Sequence, residues 1–197
     1  MYLETERLII RDFDIDDAES LYKIKYDIMV IEYIPSFIKR NANMEDINSE
    51  ILYFKSVEGT GNYEKEVLYA VILKNGNHLI GAIAVSYHSV LYEPELGWMM
   101  QGEYCKKGYA SEAATAVTDY LFQTYHYDFI SVVMDVDNPA SFRTAEKSGF
   151  KLFEKRTVYD HKYGRFCDDY YYFRKFNPDS KITNRFYGDT EYDGRHL

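Results

Sequence analysis

Long apolar runs, cysteines and basic charge are all scarce in this chain of 197 residues. No apolar run reaches the roughly 18 residues that a bilayer-spanning helix needs. The charged N-terminus, MYLETERLII, also lacks the apolar core of a signal peptide. Two cysteines, Cys105 and Cys167, are too few for a disulfide framework. We therefore expect a cytoplasmic protein with no membrane association.

Motifs for metals and nucleotides are missing as well. The five histidines are scattered, without an HExxH or a Cys/His cluster, so we expect no metal site. Neither a P-loop nor a G-x-G-x-x-G dinucleotide fingerprint is present. The net charge of 23 − 32 = −9 argues against a nucleic-acid binder, which would need a basic face. The same charge is compatible with a cationic substrate such as an amine.

Hydrophobic residues make up 46% of the chain and aromatic residues 17%, which is ample for a packed core. We expect one domain over residues 1–176. Residues 177–197 are polar, contain glycine and show no periodicity, so we interpret them as a tail that is disordered or draped over the surface.

Hydrophobic periodicity predicts the element order β-α-α-β-β-β-α-β-α-β-β. This order implies an α/β protein, with helices on the faces of a mixed sheet. The predicted strands cover residues 7–12, 67–74, 78–88, 95–100, 129–136, 151–159 and 167–176; the second and third are joined at Asn75-Gly76-Asn77, and the last two by a turn at 162–164. The first predicted helix carries Ala18, Leu21, Ile24 and Ile28, and the second covers 44–57 with Asn43 as its cap. An alanine-rich helix begins at Gly108, and the last helix is capped by Asn138 and ends at Gly149.

The stretch from Pro94 to Ala114 is suited to binding a phosphate. It predicts a strand, a polar turn and a helix whose first turn has N–H groups without intrahelical partners. Gly108 would let a phosphate approach that backbone closely. Lys106 and Lys107 add positive charge beside it. Strand–glycine–helix turns are common, however, and most are only turns.

A second segment lies about 30 residues further on, with Asn138-Pro139-Ala140-Ser141 followed by EKSGF at 146–150. Together with the turn around Gly108 and with LETERLIIR at 3–11, it resembles the GCN5-related N-acetyltransferases, the GNAT superfamily. The most similar branch contains the ribosomal-protein alanine acetyltransferases. The resemblance covers roughly residues 3–176. It implies a GNAT-type acyl-CoA N-acyltransferase fold, whose central, mostly antiparallel twisted sheet is flanked by about four helices.

The activity that the resemblance implies is transfer of an acetyl group from acetyl-CoA to a primary amine, by direct attack in a ternary complex and without a metal. The amine would belong to a protein N-terminus or to a small molecule. The resemblance places the pyrophosphate on the backbone of a Gln/Arg-x-x-Gly-x-Gly/Ala window. In this chain the window consists of Cys105, Lys106, Lys107, Gly108, Tyr109 and Ala110, and Ser111 follows it as a further expected contact.

Cys105 departs from the Gln or Arg of the family pattern, and Lys106 or Lys107 would have to compensate. A thiol at a helix N-terminus beside two lysines predicts a lowered pKa and redox sensitivity, the alternative being an unremarkable small side chain. The resemblance also places the pantetheine arm along the strand, and it suggests further cofactor contacts on the helix after Asn138. The strand residues are Trp98, Met99 and Met100, and the helix residues are Asn138 with Arg143 and Lys147 as candidates for the 3′-phosphate.

Acetyl transfer needs a group that accepts the proton of the attacking amine. By resemblance that base is Glu95, with Glu93 and Asp135 as alternatives, or else Glu95 is only an exposed carboxylate at a strand end. The tyrosine that serves many relatives as the acid is replaced here by Ala145. Ser141 could protonate the departing thiolate instead.

Two other functions stay open at this point. One is a catalytically silent acyl-CoA-binding or regulatory module with the same fold, which the departures at Cys105 and Ala145 favour. The other is an aromatic-rich carbohydrate- or nucleotide-binding domain, because the chain has 21 tyrosines. The acceptor amine and the choice between monomer and homodimer are not encoded in any motif. We expect acceptor specificity in the irregular stretch around residues 33–37, which could equally be a loop that covers the core.

Overall fold

The computed structural model describes residues 1–34, 42–57, 66–87, 93–160 and 165–180, with side chains described outside 158–169. These residues form eight strands and five α-helices, with single 3₁₀ turns at Ile15–Asp17 and Gly102–Tyr104. The strands are β1 Tyr2–Glu4, β2 Leu8–Asp12, β3 Val67–Leu73, β4 His78–Tyr87, β5 Pro94–Met100, β6 Phe129–Asp135, β7 Lys151–Asp160 and β8 Arg165–Phe176. The helices are α1 Ala18–Lys25, α2 Ile28–Tyr33, α3 Met44–Val57, α4 Tyr109–Tyr125 and α5 Pro139–Lys147.

All eight strands belong to one sheet in the order β1-β2-β3-β4-β5-β6-β8-β7. Every neighbouring pair is antiparallel except β5 and β6, which run parallel. The predicted mixed, mostly antiparallel sheet with flanking helices is therefore confirmed. The parallel pairing is confined to Glu95 and Ser131. Within the described residues β5 and β6 thus separate beyond this point, and a gap opens in the middle of the sheet.

The core forms where apolar helix stripes cover the apolar sheet. Strand β3 is buried along nearly its whole length, as its continuous run VLYAVIL requires. Helix α3 matches the predicted bounds and buries Ile47, Ile51 and Phe54. Its cap is the predicted Asn43, whose Oδ1 accepts from the backbone N–H of Asp46 at 3.0 Å. The apolar face expected for helix α4 runs from Ala110 at helical spacing; Ala113, Ala114, Val117 and Leu121 of this face are buried, whereas Ala110 is half-buried.

The N-terminal region differs from the prediction in two ways. Strand β1, which pairs with β2, was not predicted because its three residues are too few to show a period. The single helix through Ile28 is wrong, since the chain breaks after α1 and restarts as α2. Asp27 causes the restart by accepting the backbone N–H of Met29 at 2.9 Å. Ile28 is 77% exposed and lies outside the stripe of α1.

Helix α2 occupies part of the stretch that was expected to be irregular, and the rest of that loop, 35–41, lies outside the described residues. So do the turns at 58–65 and 161–164 and most of the expected tail, 181–197. The described start of the tail is anchored: Asn177 donates its backbone N–H to Asp128 at 2.8 Å and its side-chain amide to the carbonyl of Tyr127 at 3.0 Å. No helix formed by the described residues is long and apolar enough to cross a bilayer.

Candidate active site

A groove of about 470 Å³ lies where β5 and β6 separate. Its walls are β5, the turn into α4, the start of α5 and helix α2. Thirteen of the fifteen predicted site residues line it, and the two exceptions are Glu95 and Lys107. The lining residues among the predicted set are Trp98, Met99, Met100, Cys105, Lys106, Gly108, Tyr109, Ala110, Ser111, Asn138, Ser141, Arg143 and Lys147.

The entrance of α4 has the geometry of an anion site. Gly108 is the N-cap residue and has φ 84, a left-handed conformation that favours glycine. The first intrahelical bond of the turn runs from the N–H of Glu112 to the carbonyl of Gly108. The N–H groups of the three preceding residues have no intrahelical acceptor, and a glycine cap has no side chain to satisfy them. A Cβ at Gly108 would lie 3.4 Å from Nη2 of Arg7 and 4.0 Å from Oγ of Ser111, at ordinary contact distances.

Strand β5 and helix α5 face each other across the groove. The indole Nε1 of Trp98 donates to Ser141 Oγ at 3.2 Å. The backbone N–H of Ser141 donates to Asn138 Oδ1 at 3.0 Å, which confirms Asn138 as the cap of α5. Because Ser141 Oγ is the acceptor of the indole N–H, its own proton is not used in that bond. Ala145, one turn further on, is completely buried.

Glu95 sits at the last pair before the strands separate. Burial, with a smaller effect from the negative charges of Glu66 and Glu93, raises the pKa of Glu95 to about 7. Strand register explains the effect of Glu66: Val67 pairs with Val85 and Ser86 pairs with Glu95. Extending the β3–β4 pairing by one residue places Glu66 in the same row as Glu95. A base with a pKa near neutrality is suited to accept a proton at the working pH of a cell.

The two alternative bases, Glu93 and Asp135, are both engaged in other contacts. The Glu93 carboxylate is buried against the guanidinium of Arg174, with Nε donating to Oε2 at 3.1 Å. Burial nevertheless raises its pKa, against the opposing effect of Arg174. Asp135 accepts the backbone N–H of Asp137 at 2.7 Å and so stabilises the turn into α5.

The expected lowering of the Cys105 pKa is wrong. Burial raises the pKa of this thiol, and the carboxylate of Asp27 raises it further, while Lys106 only partly opposes them. The sequence places both lysines beside Cys105, but only the fold brings Asp27 there. Its Oδ2 accepts the backbone N–H of Gly102 at 3.0 Å. A thiol with a raised pKa is a poor nucleophile at neutral pH.

The predicted basic residues are not equivalent. The exposed Lys106 lines the groove, whereas the Lys107 ammonium lies 5.4 Å over the ring of Tyr104. Arg143 and Lys147 both line the groove from α5 with exposed side chains.

Two parts of the site were not predicted from the sequence, and a third was predicted only in part. Helix α2 supplies one wall through Met29 and Tyr33, and the Tyr33 hydroxyl donates to the carbonyl of Asp137 at 3.2 Å. Tyr33 belongs to the stretch where acceptor specificity was expected, but the helix and Met29 were not predicted. Glu66 lies just before the strand predicted to begin at residue 67, and only strand register could have revealed its position in the row of Glu95. Arg7 lies in the segment LETERLIIR at 3–11, but nothing in the local sequence shows that its side chain reaches the turn before α4. Among the described residues, no group of three or more His, Cys, Asp or Glu side chains could hold a metal ion.

Comparison with known proteins gives consistent matches. The family model described as Acetyltransferase (GNAT) domain matches residues 7–151. The uncharacterized N-acetyltransferase YnaD of Bacillus subtilis (strain 168) is 32% identical over 174 residues, which cover 87% of this chain and 95% of that protein. The ribosomal-protein-S5-alanine acetyltransferase of Vibrio fischeri aligns with a TM-score of 0.74 at 18% identity, covering 92% of this chain and 100% of that one.

A further solved structure, the microcin C7 self-immunity acetyltransferase MccE in complex with acetyl-CoA and AMP, aligns with a TM-score of 0.70 at 18% identity, covering 87% of this chain and 93% of that one. At these identities the structural neighbours show the fold. The family match extends from β2 through the groove to the start of β7, and therefore includes every predicted site residue. The chain belongs to the GNAT family of acetyltransferases and is an acetyl-CoA-dependent N-acetyltransferase.

Proposed function

We propose that the groove between β5 and β6 holds the thioester of acetyl-CoA, and that a primary amine attacks it directly in a ternary complex. The observation that carries this proposal is the end of β5–β6 pairing at Glu95 and Ser131, beyond which a groove opens that is also lined by the N-terminus of α4. Among the described residues, the gap leaves main-chain groups of β5 without strand partners on that side. The helix start supplies donors for a diphosphate at one end of the same groove.

Each wall of the groove has a distinct task in this proposal. The N–H groups of residues 108–111 bind the diphosphate, and the exposed Lys106 and Arg143 add positive charge. The main chain of 98–100 binds the pantetheine amides as an added strand would. A backbone N–H of β5 stabilises the oxyanion that forms when the amine attacks. The protein thereby contributes mainly by holding the amine and the thioester in reacting geometry.

Two side chains move the protons. The acceptor arrives as an ammonium, and Glu95, whose pKa is about 7, accepts its proton, directly or through water. Ser141 passes a proton to the departing thiolate and regains one from solvent. Its hydroxyl proton is available for this because the indole of Trp98 donates to its oxygen and fixes its orientation.

The acceptor is a primary amine that approaches on the side of Glu95. The structural neighbours include a protein named for acetylation of a ribosomal-protein alanine and one named for microcin C7 self immunity, so the same fold serves acetyltransferases with different roles. The negative charges of Glu66 and Glu95 favour a cationic acceptor. Met29 and Tyr33 on α2 form the wall that such an acceptor would meet.

A thiol-release assay over a panel of peptide and small-molecule amines tests the activity. Replacing Glu95→Gln should lower kcat about 10²-fold or more, with the affinity for acetyl-CoA unchanged. Glu103→Gln is a matched control, because Glu103 is an exposed carboxylate close to the groove and should leave kcat unchanged. If Glu95→Gln has full activity, the base lies elsewhere.

Cofactor binding is tested separately by thermal stability. Acetyl-CoA at 100 times its dissociation constant should stabilise the protein by about 2.7 kcal/mol. An unchanged melting temperature at millimolar acetyl-CoA contradicts the assignment of the groove. Stabilisation without turnover on any amine would instead indicate a silent acyl-CoA-binding module.

A further inference from the structure

Strands β1 and β2 and the turn between them form an N-terminal hairpin, and one hydrogen-bonded cluster joins this hairpin to the entrance of α4. The backbone N–H of Arg7 donates to Glu112 Oε1 at 2.9 Å, and its side-chain Nε donates to Glu112 Oε2 at 2.6 Å. The Thr5 hydroxyl donates to the same carboxylate at 2.5 Å. Nη1 of Arg7 donates to the carbonyl of Lys107 at 3.0 Å, and the guanidinium lies 4.6 Å over the ring of Tyr109. Arg7 therefore contacts residues on both sides of the glycine that heads α4.

The hydrogen bond from Arg7 to the carbonyl of Lys107 fixes the direction in which the backbone N–H of Gly108 points. In a planar trans peptide the C=O and the following N–H point in opposite directions. Because Arg7 binds the carbonyl of Lys107 on one side, the N–H of Gly108 is turned to the other. The flanking residues Lys106 and Gly108 have φ values of 63 and 84; glycine adopts this conformation readily, but a lysine keeps it only where the surroundings hold it. Arg7 lies outside this turn, and its contacts hold the turn in this conformation.

The cluster also decides the charge at the helix start. Glu112 lies in the first turn of α4, where the helix dipole favours a negative charge. Although burial alone would raise its pKa, hydrogen bonds from Thr5 and from the backbone and side chain of Arg7 lower the pKa of Glu112. The carboxylate is thus ionised at neutral pH, one turn from the donors assigned to a diphosphate. Arg7 is the positive partner that cancels its repulsion of that ligand.

We propose that Arg7 is a positioning residue for acetyl-CoA, which holds the turn of residues 106–109 in its binding conformation and neutralises Glu112. This inference rests on the proposed function, since it assumes that the diphosphate binds at residues 108–111. It assigns the N-terminal hairpin a role in cofactor affinity, although no residue of the hairpin lines the groove in the described part of the chain.

The test compares two arginines of the same region. Arg7→Met should weaken CoA binding roughly tenfold or more, measured by calorimetry, because a charge-assisted hydrogen bond and a neutralising charge are both lost. The KM for the amine and kcat at saturating acetyl-CoA should change little. Arg11→Met is the matched control: Arg11 makes bonds of 2.6 and 3.0 Å to the carboxylate of Asp17, away from the groove, and its loss should leave CoA affinity unchanged.

A second variant separates charge from packing. Removing the carboxylate as well, in Arg7→Met/Glu112→Gln, should recover part of the lost CoA affinity, which a purely structural role of Arg7 would not produce. If Arg7→Met does not fold, Arg7→Lys must still bind CoA more weakly than Arg11→Lys does. Equal CoA affinity of the Arg7 variants and the wild type overturns the inference. Failure of the wild type itself to bind CoA contradicts the proposed function instead.

Discussion

Replacing Glu66→Gln should shift the pH dependence of acetyl transfer. With a pKa of about 7, Glu95 is about 9% ionised at pH 6 and about 91% ionised at pH 8. For an alkyl-amine acceptor, which stays protonated over this range, kcat/KM should rise about tenfold between these two values. The acidic limb of the profile thus reports the ionisation of Glu95.

The size of the shift follows from the sheet geometry. Glu66 and Glu95 lie in one row on β3 and β5, two strand spacings apart, or about 10 Å. At an effective dielectric constant of about 20, two unit charges at that distance repel by about 1.7 kcal/mol, which corresponds to about one pKa unit. The Glu66→Gln profile should therefore have its midpoint about one pH unit lower. Burial, the larger cause of the raised pKa, should keep that midpoint above the usual range for a glutamate.

The assay is initial-rate thiol release from acetyl-CoA between pH 5 and pH 9. Other charged or titratable groups near the row of Glu66 and Glu95 are the Lys25–Glu50 ion pair, the Glu93–Arg174 ion pair and Tyr172. All of them remain in the variant, so the change isolates Glu66. A control, Glu146→Gln, removes an exposed charge on α5 and should leave the midpoint in place. A flat wild-type profile, or an unshifted midpoint in Glu66→Gln, would refute the reasoning.

The same substitution should change stability in a pH-dependent way. Burial raises the pKa of Glu66 to about 7, with Glu50 raising it further and Lys25 opposing. A carboxyl group whose folded pKa exceeds its unfolded value binds more protons in the folded state, so it destabilises the fold as pH rises from about 4.5 to about 7. Glu66→Gln should therefore raise Tm at pH 8 more than at pH 5. Equal shifts at both pH values would show that Glu66 is not desolvated.

Two further substitutions probe the walls of the groove. Gly108→Val should abolish stabilisation by acetyl-CoA, because a β-branched residue is strained at φ 84 and its side chain would press on the guanidinium of Arg7, so that the turn of residues 106–109 could not keep its conformation; retained binding in a thermal-shift titration would contradict the diphosphate assignment. Ser141→Ala should lower kcat by roughly 10²-fold with little change in KM for acetyl-CoA, since the proton donor is lost while the walls stay in place. Full turnover by this variant would leave the thiolate to be protonated by water.

Local sequence was sufficient wherever a structural element depends on its own periodicity and caps. The apolar stripe and Asn43 predicted α3 with its observed bounds, and the turn at Asn75-Gly76-Asn77 predicted the β3–β4 hairpin. The glycine before α4 and the Asn-Pro start of α5 likewise marked two helix N-termini. These features are set by hydrogen bonds within a few residues, so the sequence determines them directly.

Tertiary structure decided everything that depends on which distant groups become neighbours. The pKa of Cys105 is raised because Asp27 and burial outweigh an adjacent lysine. Glu93 and Glu95 are two residues apart, yet one is paired with Arg174 and the other faces Glu66. The gap between β5 and β6 exists because two strands that pair at one point diverge afterwards. Electrostatic energies and strand separation depend on distances through space, which a linear pattern does not contain.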